Sequence, residues 1–140
     1  MPTNKEFAIR MEDRPGTLGR VCRVLADRGV NILAFQSSTS EGKSQSLVRI
    51  VVDNPTTAKA ALDTERLTYT EGEVAQVKLA HRAGELARSA SRLGEANINI
   101  NHAYCGFEPG TNAPVLIFGV AEVGRAVTIL EQTAAAGAGA

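Results

Sequence analysis

The chain has 140 residues, enough for one ordinary domain or two small ones, and it can bury about two thirds of the surface its unfolded form exposes. Fifteen basic and fifteen acidic side chains cancel, so no net field draws the protein to nucleic acid or to an anionic membrane. Cys22 and Cys105 form neither a CxxC nor a Cys/His metal spacing, and no apolar run approaches the ~20 residues of a membrane helix. The expectation is a soluble, cytoplasmic protein with buried thiols, no metal and no cofactor.

In chain order, Phe7 to Met11 alternates and runs into Arg14-Pro15-Gly16, which reads as a strand ending in a turn. Leu18, Val21, Cys22, Leu25 and Ala26 then share one face of a helix, with Arg20, Arg23, Asp27 and Arg28 opposite and Gly29 as the stop. Residues 31–40 read as a second strand, 41–44 as a turn and 47–52 as a third strand. Asp53-Asn54-Pro55-Thr56 can cap and start a helix over 56–67, and a fourth strand over 67–73 completes a βαββαβ order. Next come a strand over 74–81, a helix over Glu85 to Glu95, a strand over 98–107, a Gly/Pro/Asn loop, a strand over 115–123 and a helix from Gly124 to Gln132. Beyond Gln132 no large apolar side chain remains, so a flexible Ala/Gly tail is expected over 134–140, and the last strand of the second series is missing.

The two series are copies. At a shift of 68, Arg14 meets Arg82, Gly16 meets Gly84, Leu18 meets Leu86, Arg20 meets Arg88, Leu25 meets Leu93, Asn31 meets Asn99 and Ile32 meets Ile100. Such agreement within twenty positions far exceeds the about one or two matches that chance gives at ordinary residue frequencies. The expected architecture is α+β: two ferredoxin-like units, residues 5–73 and 74–133, each with an antiparallel sheet and its helices on one face. Third-strand residues apolar on both faces point to something covering each face, a homodimer or a partner's helices.

A strand, then DRPGTL, an amphipathic helix, GVNI and another strand resemble the ACT domain, a ligand-binding module that regulates amino-acid metabolism. The resemblance covers Lys5 to Leu67 and Val74 to Gln132, and most of the chain is similar to small tandem-ACT proteins that carry no enzyme domain. It implies a regulatory protein that senses a free amino acid and acts on a partner enzyme of amino-acid metabolism, with the ligand between two units and the loop of one facing the asparagine region of the other. Carried over, the site draws on Asp13, Arg14, Gly16, Thr17, Leu18 and Asn31 in the first copy, and on His81, Gly84, Glu85, Leu86 and Asn99 in the second. The copies differ where Ala83 stands for Pro15, His81 for Asp13 and Asn97 for Gly29.

The residues themselves suit a zwitterion. Gly16, Thr17 and Leu18 start a helix, where free amides and the positive end of the dipole favour a carboxylate, while Asp13 can oppose an ammonium and Asn31 can both donate and accept. His81 carries no negative charge, so the first loop is expected to be the stronger site. Two plainer readings stand beside this one: Asp13-Arg14-Pro15-Gly16 is also a good turn, and Asn31 can simply satisfy a helix end. His102, Tyr104 and Cys105 share a strand but lack the further ligands of a metal site, so they are expected to pack. No GxSxG, HExxH, GxGxxG or phosphate loop is present, which favours a binding module over an enzyme. The other reading is a ligand-free interaction subunit of an enzyme complex. Six aromatics without net positive charge make RNA binding on the sheet a poor fit.

Overall fold

The computed structural model describes residues 3–39 and 44–138. Among the described residues ten elements occur in order: β1 (Thr3–Glu12), α1 (Thr17–Ala26), β2 (Ile32–Thr39), β3 (Gln45–Val52), α2 (Pro55–Thr64), β4 (Thr68–Lys78), α3 (Glu85–Glu95), β5 (His102–Phe107), β6 (Pro114–Gly119) and α4 (Val123–Ala138). They form two compact units: Lys5–Gly72, and Glu73–Ala140 together with Met1–Asn4. The turn expected over 41–44 lies mostly outside the described residues.

In the first unit β1 and β2 both pair antiparallel with β3, with Phe7 opposite Ile50 and Phe35 opposite Ile50 on its other side. Alternation then sorts the side chains by face. Phe7, Ile9, Met11, Val48, Ile50 and Val52 point to one face, where Val21 and Leu25 of α1 and Ala58, Ala61 and Leu62 of α2 close over them. The start of β4 lies beside β1: Lys5 pairs with Glu71 at 3.1 Å, and the rings of Phe7 and Tyr69 meet edge to face at 5.7 Å. As one partner advances two residues the other retreats two, which is the antiparallel relation. Asn54 caps α2 by accepting from the Thr57 amide at 3.1 Å, with Pro55 in the first turn. Val51 and Ala34, on the opposite face, are buried within the single chain.

The second unit uses the later part of β4, which pairs antiparallel with β6, while β5 pairs with the other side of β6. Ala75, Val77 and Phe118 of the sheet pack with Leu93 of α3 and with Ala126 and Leu130 of α4. Helices cover one sheet face here as well, so both units are α+β with βαββα chain order in common.

Two expectations are corrected. Residues 67–73 and 74–81 are not two strands; one strand, β4, runs from Thr68 to Lys78, because Gly72 stays extended rather than turning. The helix expected to end at Gln132 continues as α4 to Ala138, since alanines favour a helix and need no apolar partner to hold one. As expected, no strand follows α4 among the described residues. Asn4, on the opening stretch of β1, groups with the second unit and donates to the Gln76 side chain at 3.5 Å.

Candidate functional site

The loop between β1 and α1 owes its shape to Gly16, which caps α1 with φ of 92°, a left-handed value that an L side chain rarely adopts. The Asp13 amide donates to the Ser44 carbonyl at 2.8 Å, the Arg14 amide to the Glu12 carbonyl at 3.1 Å, and the Thr17 hydroxyl to the Arg14 carbonyl at 3.1 Å. None of these bonds uses the Asp13 carboxylate, and Asp13 is exposed at the surface. Arg14 forms an ion pair with Glu12 at 3.2 Å. Leu18 turns inward and packs against the first core. No side chain caps α1 and no acid stands in its first turn, so its amide end carries no anion of its own.

The loop between β4 and α3 repeats that backbone at the shift of 68. Gly84 has φ of 92°, the Arg82 amide donates to the Ala80 carbonyl at 3.0 Å, and the Glu85 amide donates to the Arg82 carbonyl at 3.4 Å, as Thr17 does to Arg14. The helix ends match too. The Gly29 amide donates to Ala26 at 3.0 Å and the Asn97 amide to Gly94 at 2.9 Å, with φ of 70° and 62°. Asparagine tolerates the left-handed region better than most residues, so the Gly29 to Asn97 difference leaves the helix stop intact.

Chemistry separates the two loops. Glu85, at the position of Thr17, is only 5% exposed, and its Oε1 accepts from Arg82 Nε at 2.8 Å and from Arg88 Nη1 at 3.1 Å. The Arg82 hydrogen bond, opposed by burial and helped by the Arg88 charge, holds this carboxyl below its ordinary value. Glu85 thus places an acid in the first turn of α3, where α1 has none, although no side-chain hydrogen bond caps either helix. Leu86, unlike Leu18, is 56% exposed. A cleft of about 390 Å³ lies against this loop, walled by Leu79, Leu86, Cys105, Pro114 and Leu116, with His81, Arg82 and Glu85 at one corner.

Neither asparagine meets the loop of its own unit. Asn31 precedes β2, whose Ile32 pairs with Val52, whereas Glu12 at the loop end of β1 pairs with Gln45. Those two partners sit at opposite ends of β3, about 23 Å apart at strand rise. Asn31 is tied instead to Asp53 by a reciprocal pair: its amide donates to Asp53 Oδ1 at 2.9 Å, and the Asp53 amide donates to the Asn31 carbonyl at 3.1 Å. Asn99 donates to Asn101 Oδ1 at 3.0 Å. His102 and Tyr104 stack at 6.2 Å on the β5 face shared with Gly119, and Cys105 points to the other face. Among the described residues no cluster of three His, Cys, Asp or Glu side chains can hold a metal, and no helix is long and apolar enough to cross a membrane.

Sequence reasoning left out Arg88, Asp53, Leu79, Cys105, Pro114 and Leu116 from this surface. The spacing of Arg82, Glu85 and Arg88 at three-residue steps was the available signal for the buried ion pair. The cleft walls come from three elements distant in sequence and gave none.

A family model described as the ACT domain matches residues 6–67. D-3-phosphoglycerate dehydrogenase of Methanocaldococcus jannaschii is 41% identical over 46 residues, 33% of this chain and 9% of that protein. The matched chain therefore spans less than a tenth of that relative. Among solved structures, protein BT0572 of Bacteroides thetaiotaomicron superposes with a TM-score of 0.80 at 20% identity, covering 94% of this chain and 88% of that one. The ligand-free regulatory subunit of aspartate kinase from Thermus thermophilus gives 0.64 at 19% identity, covering 94% and 92%. At these identities the structures establish the fold. Within this chain an ACT domain is matched over residues 6–67, all of them in the first unit.

Proposed function

We propose that the protein is a non-catalytic regulator that binds a free amino acid at the loop from Asp13 to Leu18 and thereby modulates an enzyme of amino-acid metabolism. The carrying observation is the open amide end of α1, set by Gly16, next to an exposed Asp13 carboxylate. Those groups meet the two charges of a zwitterion, carboxylate to amides and ammonium to Asp13. The ACT match over this loop supports the reading. So does likeness to a relative that is a dehydrogenase and to a structure that is a kinase regulatory subunit. The second unit is read as a second, altered ACT copy, on the strength of its hydrogen bonds repeating at the shift of 68. Regulation follows if the ligand binds one conformation of the protein better than another. Cytoplasmic location and a homodimer belong to the same proposal.

Calorimetry against the twenty amino acids tests it, with binding of at least one expected below millimolar concentration. Asp13→Ala should weaken that binding about 10-fold or more, the worth of a hydrogen bond to a charged group. Unchanged affinity would remove Asp13 from the site. A second reading, a ligand-free interaction subunit, draws on Phe35, Leu86 and Phe107, which are 55%, 56% and 61% exposed. It would be preferred if no amino acid bound and an enzyme partner did.

A further inference from the structure

The two units present different surfaces at one register. In the second, the cleft lies on the helix face at the loop end of the sheet, where Leu79, Cys105, Pro114 and Leu116 wall it. A shift of 68 carries these four onto Met11, Ser37, Ser46 and Val48 of the first unit, and carries Phe107, which lies opposite Pro114, onto Thr39, which lies opposite Ser46. Ser46 also stands opposite Met11, and Ser37 opposite Val48. Met11 and Val48 belong to the first core, so all three hydroxyl side chains share the face that α1 and α2 cover. Hydroxyls thus stand where the second unit has a thiol, a proline and an aromatic ring. Ser46 is only 7% exposed, and its hydroxyl has no hydrogen-bond partner among the described residues. It lies two residues, about 7 Å at strand rise, from Ser44, whose carbonyl holds the Asp13 amide. Ser89, the other serine buried on a helix-facing surface, has no surface left open, whereas Ser46 keeps a little at the loop end.

We infer that Ser46, with Ser37 and Thr39 beside it, selects the side chain of the amino acid held at the Asp13 loop, favouring one that bears a hydroxyl or an amide over an aliphatic one of the same shape. The inference rests on the amino-acid reading of that loop. A hydrogen-bonding side chain meets a hydroxyl already stripped of most of its water, whereas a methyl group in the same place leaves that hydroxyl unpaired. Threonine and valine, and asparagine and leucine, are pairs of nearly equal shape that differ in this one respect. Each is titrated into the isotope-labelled, unaltered protein, and the backbone amide resonances of Gly16 and Thr17 report binding at the first loop alone.

Threonine should bind about tenfold more tightly than valine, and asparagine than leucine, the worth of one hydrogen bond gained against one buried hydroxyl left unpaired. Ser46→Ala should bring threonine to within about twofold of valine. Because it removes an unpaired hydroxyl, that variant should not lower the urea midpoint of the ligand-free protein, so the loss is one of recognition and not of folding. Asp13→Ala should instead weaken all that bind in parallel. Equal binding of threonine and valine, a preference that survives Ser46→Ala, or binding by some other amino acid with none of these four would overturn the inference and leave the amino-acid reading in place. No response to any of the twenty would overturn both.

Discussion

Ser89 offers the sharpest test of how the second unit is held together. It lies in α3 at the shift of 68 from Val21 of α1, and both residues are fully buried. Val21 fills its place with methyl groups, whereas the Ser89 hydroxyl has no hydrogen-bond partner among the described residues. A buried unsatisfied hydroxyl costs about 1–3 kcal/mol, because water no longer solvates it and nothing replaces the water. Alanine is also the better helix former, by roughly 0.5 kcal/mol. Ser89→Ala should therefore stabilise the protein by about 2 kcal/mol, which at this chain length raises Tm by roughly 6 °C. Urea unfolding followed by circular dichroism measures it, with an unchanged denaturant slope as the sign that only stability moved. The reciprocal Val21→Ser should cost about 2–4 kcal/mol, from lost apolar burial plus a new unsatisfied hydroxyl. A lower midpoint for Ser89→Ala would show that the hydroxyl has a role that this reasoning denies it.

Gly29→Asn should change stability by less than about 0.5 kcal/mol, because Asn97 holds the same left-handed helix stop, whereas Gly29→Val should cost about 1–2 kcal/mol in the same urea assay. At Gly119 a β-carbon would collide with the His102 ring, so Gly119→Ala should cost about 1–3 kcal/mol and shift the His102 ring resonances in an NMR spectrum. Glu85 titrates below its ordinary value of 4.5 in the folded chain, so its ion pairs stabilise the protein above that pH and the gain is lost as pH falls through the depressed value. Thermal melts should show Glu85→Gln less stable at neutral pH and less sensitive to acid, with the remaining acid sensitivity coming from Glu71 and Glu108, which lysine partners depress in the same direction.

What could be read in the sequence was whatever depends on neighbours along the chain. The α1 and α3 helices have apolar stripes, glycine starts and defined stops, and Glu85–Glu95 emerged with the limits its pattern implied. The β4 strand did not, because Gly72 between two alternating runs looks like a break, whereas the chain runs through it as one strand. The role of Asn4 was equally hidden, since its partner Gln76 is far along the chain. At the site, the loop shape was legible from its glycines. Asn31 was not, because its reciprocal bonds to Asp53 depend on the end of β3 lying next to the start of β2.

Two of the places where the copies part company lie on the buried side of one helix. Thr17, Val21 and Leu25 succeed each other at turns of α1, and Glu85, Ser89 and Leu93 do so in α3, so two polar side chains are buried where the first unit has one small hydroxyl and a valine. Backbone hydrogen bonds around both helices nevertheless agree to within about 0.1 Å in the pairs that match. The loop conformation is thus set by glycine geometry and by the helix stop, independently of what lines the helix start. That separation is what allows one backbone to present a threonine at the helix start in one unit and a buried, arginine-paired glutamate in the other. It also locates the cost. The second core gives up apolar contact at Ser89 and keeps a carboxylate out of water at Glu85, so the unit around α3 should open first under denaturant, and hydrogen exchange at Leu93 should be faster than at Leu25. Slower exchange at Leu93 would mean that the Glu85 ion pairs more than offset the missing valine.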